Sequence, residues 1–394
     1  MGQALVVGPG ALRALPDSVA AVGRSGAQSR VMTIVGAGFH TRPWVDEVRT
    51  VLDTVADAVR VHRGLPTPES VLDLHAEVVT FRPDVVVAIG GGSVIDAAKA
   101  ATALAGTGMS GPELAAYIRT AGPVPAAGVP VVAVPTTPGT GAEATPFATV
   151  WDRTGRTKLS VAGPAVRPAA AILDPRLLAG LSRAQLASCL LDTLAQGIEA
   201  AWSIRSTPTA SAYGLAAVAA VAPLLEAVAA GHHTMSARTA LMLGGYHSGQ
   251  AIAIGETTAC HAISYDLTLR FGLAHGHACG VVLARLLRYN AAITDRDCGD
   301  PRGARHVQSV LSEVVDAFAG AADVDHVAHR IDGFLDRCDL ARYDDLAADH
   351  RSVAEQALGY RRCHNNPRAL DLSTLTALLS ASSPSEMGAI QCHA

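Results

Sequence analysis

The sequence predicts two domains: an α/β domain built on a parallel sheet over residues 1–180, then an all-helical domain over residues 181–394. Three observations predict it. In the first half, short β-branched runs alternate with Ala-rich helical stretches, and the runs are near-continuously apolar, as strands covered on both faces must be. Beyond Ser182 the strand signal disappears and Ala/Leu-rich segments follow one another with short polar or Pro/Gly breaks. The length, 394 residues with 49% hydrophobic and 17% charged, suits two domains of ordinary size and excludes a disordered chain.

Taken in order, Val31–Val35 reads as a strand, Trp44–Val61 as a helix, Asp84–Ile89 as a strand, Ser93–Leu104 as a helix and Val129–Val134 as a strand. Asp174-Pro175 ends the last extended run, and Ser182 is placed to cap the first helix of the second domain. Breaks follow at Ser206-Thr207-Pro208, Gly231-His232-His233 and Gly299-Asp300-Pro301. The longest apolar run, Leu215–Leu225, holds Pro223 and falls short of the roughly 20 residues of a membrane span, so it is expected to be a buried helix. The N-terminus lacks a basic start and is interrupted by Gly8-Pro9-Gly10, which reads as no signal peptide.

Composition narrows the function. A net charge of −4 offers no basic field for a phosphate backbone, so no nucleic-acid partner is expected, nor a membrane one. Seven scattered cysteines without a CxxC pair argue against a disulfide framework or a structural zinc knot and fit a reducing, cytoplasmic setting.

Two loops carry the first chemistry. The strand ending at Ile89 runs into Gly90-Gly91-Gly92-Ser93 and then a helix, an order that lets backbone N–H groups at a helix start meet a pyrophosphate. Val131–Val134 leads into Pro135-Thr-Thr-Pro-Gly-Thr-Gly-Ala-Glu143, a hydroxyl-rich loop suited to a nucleotide cleft. Of the 31 Lys and Arg residues only Lys99 and Lys158 are lysines, one after each loop. A compact point charge has uses there that a planar guanidinium does not, although Lys99 also suits a plain solvated helix face.

The helical half carries the second. Asp192 and Gln196, four apart, share one helix face in an apolar stretch. His261 and Tyr265 repeat that spacing, and His275-Gly276-His277 adds two imidazoles. Asp192, His261 and His275 together would make an O/N/N site suited to Fe²⁺ or Zn²⁺.

At these residues the sequence resembles the iron-containing, group III alcohol dehydrogenase family. The match runs in register through GGGSVIDAAKA (90–100), PTTPGTGAEAT (135–145), AILDP (171–175), DTLAQGIEA (192–200) and HAISYDLTLRFGLAHGHA (261–278). The resemblance implies a Rossmann-like first domain, a helical metal-binding second domain and NAD(P) in the cleft between them, in a homodimer. It implies cofactor contacts at Gly91, Gly92, Ser93, Asp96, Thr136, Thr137, Thr140 and Lys158, and metal ligands at Asp192, His261 and His275. Where the family usually has a second ligand histidine this chain has Gln196, expected either to complete the metal set or to orient a water. Where the family repeats His after the third ligand it has Tyr265, which with His277 is a candidate for the proton relay. No carboxylate stands about Ala37 to read the adenosine ribose, and Arg42 just beyond would favour NADP.

Within the family, Phe147–Val150, Gln196, Trp202–Thr207, His261–Tyr265, His275–Ala278 and Asn365–Arg368 resemble the branch of phosphonoacetaldehyde reductases, which make 2-hydroxyethylphosphonate in phosphonate natural-product pathways. A small dianionic aldehyde needs cationic contacts, for which Arg205, Arg270 and Arg368 are the candidates. The expected function is metal-dependent NAD(P)H reduction of a small anionic aldehyde. A general short-chain alcohol dehydrogenase, a metal-free maleylacetate-reductase-like enzyme, a dehydroquinate-synthase-like cyclase and a catalytically dead nucleotide-binding regulator are the alternatives.

Overall fold

In a computed structural model, the described residues are 2–23, 29–120, 124 and 128–390. They form two compact units, Met1–Leu181 and Ser182–Ala394.

The first unit contains strands β1 (Ala4–Val7), β2 (Val31–Gly36), β3 (Ala58–His62), β4 (Val85–Gly90), β5 (Val131–Pro135), β6 (Phe147–Asp152), β7 (Thr157–Ala162) and β8 (Ala170–Leu173). Six of them make one parallel sheet in the order β1-β8-β5-β4-β2-β3, and β6 and β7 form a separate antiparallel hairpin. The central strands are apolar at every position because both faces are covered. Val31, Val35, Val85, Val87 and Ile89 pack with Leu12, Leu15, Val48 and Leu52 on one side, while Met32, Ile34, Val86 and Ala88 pack with Leu74, Val78, Ile95 and Ala98 on the other. The latter come from α1 (Pro68–Phe81), opened by a Thr67/Ser70 capping box, and α2 (Gly92–Ala105).

One expected helix is corrected. Within Trp44–Val61 only Val45–Leu52 is helical, and Ala58–His62 is the edge strand β3. Ala58-Val-Arg-Val-His alternates with period two, and Val59 and Val61 point outward at 45% and 37% exposure, a pattern masked by the amphipathic helix before it. From β2 the chain steps outward to β3, then returns to β4 on the other side of β2 and moves on to β5. The carboxyl ends of β2 and β4 therefore flank the point where strand order reverses, the usual ligand crevice of an open α/β sheet.

The second unit is helical. Its principal helices are α3 (Arg183–Trp202), α4 (Pro208–Val221), α5 (Met235–Gly255), α6 (Ala259–Phe271) and α7 (His275–Ala291). Among the described residues its β pairing is a single isolated bridge, Cys298 to Arg368. Ser182 caps α3 through a reciprocal box with Gln185. Two close crossings fix the helices around α3. A Cβ on Gly214 would lie 2.3 Å from Gly197 O, so α3 and α4 touch backbone to backbone there. A Cβ on Gly276 would lie 1.9 Å from Ser188 O and 2.7 Å from Asp192 Cβ, so the start of α7 sits directly on α3 at Asp192. The stretch Pro208–Ala229 is long and apolar enough by composition to cross a membrane, longer than the run read from sequence. It packs on α3 and α5, and a 3-10 turn at Ala222–Leu224 interrupts it at Pro223. Six cysteines are free, and Cys392 lies outside the described residues.

Candidate functional site

In the first unit, the glycine loop and the threonine loop meet. Gly91 is the cap of α2 in extended conformation and offers no side chain, so the first N–H groups of the helix are left to other acceptors. A Cβ on Gly91 would come within 3.0 Å of Thr137 Oγ1, and one on Gly92 within 2.7 Å of Thr140 Oγ1. The glycines are thus required by contact between the two loops as well as by any ligand. Thr136 N donates to Gly90 O at 2.9 Å and clamps the loops together. A cavity of about 100 Å³ opens at the switch point, lined by Gly36, Gly38, Arg42, Gly90, Gly91, Thr136 and Thr137 among others. Of the cofactor positions implied by resemblance, Gly91, Thr136 and Thr137 line this cavity. Ser93 and Asp96 follow on α2, and Arg42 sits at the rim with Nη1 donating to Gly180 O at 2.6 Å.

The two lysines part company. Lys99 is not on a solvated face; it is fully buried, with Nζ donating to Ala142 O at 2.7 Å, Thr145 Oγ1 at 2.9 Å and Phe147 O at 2.5 Å. Its charge faces Asp96 at 3.4 Å. Burial pushes the Lys99 ammonium down and the Asp96 carboxyl up, each opposed by the other's charge. Lys99 therefore ties α2 to the threonine loop. Lys158 stands on β7, where Nζ reaches Ser160 Oγ at 2.7 Å and lies 5.8 Å from the centre of the Phe147 ring.

In the second unit, Asp192, His261, His275 and Cys279 each bring one ligand atom to a cluster whose members all lie within 4.8 Å of one another. His261 Nε2 is buried, has no hydrogen-bond partner and faces Asp192 Oδ1 at 3.4 Å. The other ring nitrogen, Nδ1, is bonded to Glu199 Oε2. Glu199 is fully buried, and its second oxygen accepts from Thr258 N at 3.0 Å, Thr258 Oγ1 at 2.5 Å and Cys260 N at 2.8 Å. With Nδ1 tied to a fixed carboxylate, Nε2 is the ring nitrogen turned toward Asp192, the arrangement by which a carboxylate–histidine pair presents a nitrogen to a metal. Burial lowers the His261 pKa, but Cys279, Glu199 and Asp192 outweigh it and raise it well above the ordinary imidazole value. So dense an anionic surround attracts a cation, and the donor set fits a divalent ion.

Sequence reasoning missed Glu199 and Cys279. Both had a signal: Glu199 is seven residues after Asp192 on the same face of α3, and Cys279 is four after His275 on α7.

The remaining candidates separate. Tyr265 stacks on His275, with ring centres 5.9 Å apart and planes within 16°, and touches the Tyr360 ring edge-on at 5.0 Å. Burial raises its pKa, so the phenol keeps its proton at neutral pH. His277, two residues from His275, points elsewhere, with Nε2 against Ala341 O at 2.8 Å. Gln196 donates from Nε2 to Asp192 Oδ1 at 3.1 Å and accepts from Ser248 Oγ at 2.7 Å, which commits its amide to neighbours. Arg368 is corrected from substrate contact to structural residue. It is 3% exposed, holds Asp297 at 2.6 Å and the carbonyls of Tyr289 and Ile390 at 2.6 and 2.9 Å, and lies 4.2 Å from the Tyr289 ring centre. Arg205 pairs with Glu256 at 3.6 Å, and Arg270 with Asp266 and Ser352 at 3.1 and 3.0 Å; both stay partly exposed. Arg362, which the sequence did not single out, bonds Thr257 Oγ1 at 2.8 Å, and its charge acts on Tyr265.

Residues 2–175 match the iron-containing alcohol dehydrogenase family, and residues 186–383 match the C-terminal part of the Fe-containing alcohol dehydrogenase family. The chain belongs to the iron-containing alcohol dehydrogenase family. It is an NAD(P)-dependent oxidoreductase of that family, working with a divalent metal. The chain is 51% identical over 362 residues, 91% of each chain, to a phosphonoacetaldehyde reductase of Streptomyces viridochromogenes. It is 27% identical over 326 residues to a sulfoacetaldehyde reductase of Bilophila wadsworthia, covering 80% of this chain and 81% of that one. A sulfoacetaldehyde reductase of Bifidobacterium kashiwanohense, solved with NAD⁺, shares the fold with a TM-score of 0.80 and 26% identity, over 97% of this chain and 98% of that chain.

Proposed function

We propose that this enzyme reduces phosphonoacetaldehyde to 2-hydroxyethylphosphonate with NADH or NADPH. The chemistry is carried by one observation: a buried carboxylate and two imidazoles converge beside a protonated phenol. The substrate rests on the 51% identity to a phosphonoacetaldehyde reductase along nearly the whole chain, and relatives named for sulfoacetaldehyde, another two-carbon anionic aldehyde, point to the same class.

When bound, the divalent ion supplies Lewis acidity to the carbonyl and the nicotinamide supplies the hydride. Asp192, His261 and His275 would hold the ion, and Glu199 keeps His261 in the tautomer that can do so. Tyr265, stacked on His275, holds a proton beside the place where negative charge develops. Arg362, which bonds Thr257 Oγ1 at 2.8 Å and whose charge acts on Tyr265, is the arginine that we assign, ahead of Arg205 and Arg270, to the phosphonate. The glycine and threonine loops receive the cofactor, with the pyrophosphate at the start of α2. Arg42 at the cavity rim favours a 2′-phosphate and hence NADPH.

We further assign the enzyme to the cytoplasm as a homodimer. The free cysteines suit a reducing compartment, and the outward residues of the two edge strands, Leu5 and Val7 on β1 and Val59 and Val61 on β3, offer apolar edges for association.

The test is NADH and NADPH oxidation with phosphonoacetaldehyde beside a neutral aldehyde of similar size. Selective turnover of the phosphonate, with Arg362→Ala raising its KM by about 10–100-fold and the KM of the neutral aldehyde by far less, is the expected result. Turnover of the neutral aldehyde alone would remove the phosphonate reading.

A further inference from the structure

The chain departs from its family at one position of the metal set, and the structure places another donor at hand. Gln196, which stands where the family has a ligand histidine, spends its amide nitrogen on Asp192 Oδ1 and its oxygen on the Ser248 hydroxyl. One turn after His275 on α7, Cys279 is fully buried and brings Sγ into the same 4.8 Å cluster as Asp192, His261 and His275. Its neighbour Cys260 is occupied otherwise, with its S–H directed to the Cys279 carbonyl at 3.2 Å. The approach of α7 to α3 at Gly276 sets this geometry, because a side chain there would collide with Ser188 and push His275 and Cys279 away from Asp192. His261 Nε2, buried without a hydrogen-bond partner, marks the centre on which these atoms converge.

We propose that Cys279 Sγ is the fourth protein donor to the metal, replacing the histidine that Gln196 has displaced. The inference rests on the metal-dependent reading above and deepens it. The donor set becomes one carboxylate, two imidazoles and one thiolate. The two anionic donors balance a divalent charge, where a neutral amide would leave it half compensated. A thiolate is a softer ligand than an imidazole or an amide oxygen, so the set moves from Fe²⁺ toward Zn²⁺. Gln196 then acts beside the metal, its N–H holding Asp192 in place as an outer hydrogen-bond partner.

The experiment is cobalt substitution of the full chain without cofactor, read by absorption and by metal content. Wild-type protein is expected to bind one Co²⁺ and to show a near-ultraviolet thiolate-to-cobalt charge-transfer band. Cys279→Ser and Cys279→Ala, checked for folding by thermal unfolding, should lose the band and bind Co²⁺ at least about 100-fold more weakly. Cys260→Ser and Gln196→Ala should keep the band. One Co²⁺ bound by wild-type protein with no such band would overturn the Cys279 assignment and leave the metal reading standing. A band that survives in Cys279→Ser would do the same. Failure of wild-type protein to bind Co²⁺ or Zn²⁺ at all would overturn both readings.

Discussion

Lys99 and His261 are both buried side chains in helices that carry family motifs, and each is surrounded by groups able to bear charge. Around Lys99 one ammonium serves four oxygen acceptors, in Ala142, Thr145, Phe147 and Asp96, and the Asp96 carboxylate supplies the opposite charge. Around His261 the donors are left open: Asp192, His275 and Cys279 gather with Nε2 about a common centre, while Glu199 holds Nδ1 on the other side of the ring. The first cluster closes on itself and holds two loops in register. The second is complementary to a cation. Two polar motifs equally visible in the sequence thus have different work, and what tells them apart is that Lys99 Nζ is fully engaged while His261 Nε2 has no hydrogen-bond partner.

The sharpest way to break this contrast is to remove a donor from the open cluster. His261→Ala is expected to abolish stoichiometric metal binding and lower kcat by about 10³-fold, while cofactor affinity, measured by fluorescence titration, stays near the wild-type value. Equal loss of both would deny the two units separate roles. At the closed cluster the effect should be on stability. Lys99→Met removes the buried cation that faces Asp96 and the donor shared by Ala142 O, Thr145 Oγ1 and Phe147 O, which costs about 3–5 kcal/mol in chemical unfolding and leaves metal content unchanged.

Glu143, in the threonine loop near Lys99, sharpens the same point through pH. Burial raises its carboxyl from 4.5 to about 7 in the folded protein. Between those values the folded state keeps a proton that the unfolded chain has released, so stability falls as pH rises from about 4.5 to about 7, by about 3 kcal/mol in all. Glu143→Gln should flatten that decline in a series of thermal melts; an unchanged slope would place its origin elsewhere. The smallest effect belongs to Glu199→Gln. Its oxygen can still accept from Thr258 and Cys260, but its amide presents a donor to His261 Nδ1 and moves the imidazole proton to Nε2. Metal affinity, measured by chelator competition, should fall about 10–100-fold with little change in unfolding temperature.

Much of this was legible in the residues. Near-continuous apolar strands foretold a sheet covered on both faces, and Ser182 foretold the start of α3, because both rest on local pattern. The convergence of Asp192, His261 and His275 was also foretold, since i, i+4 spacing on apolar helices leaves buried polar groups needing partners. Strand β3 was lost inside an apparent helix because a short edge strand carries little period-two signal. The structural role of Arg368 is hidden in the sequence because its partners Asp297 and Tyr289 are more than 70 residues away. Lys99 appeared to sit on a solvated face for the same reason, its acceptors lying 43 to 48 positions downstream. Cys279 carries little signal in the sequence beyond its spacing from His275, because a single buried cysteine in an apolar helix reads equally as a small core residue.

The central claim is that the Asp192–His261–His275 cluster works through a divalent ion. The measurement is phosphonoacetaldehyde turnover by chelator-stripped protein titrated with Fe²⁺ or Zn²⁺. Activity that is absent at the start and rises linearly to a plateau at one equivalent is the predicted result. Full turnover by the stripped protein, indifferent to added metal, would contradict the account and favour a metal-free reductase.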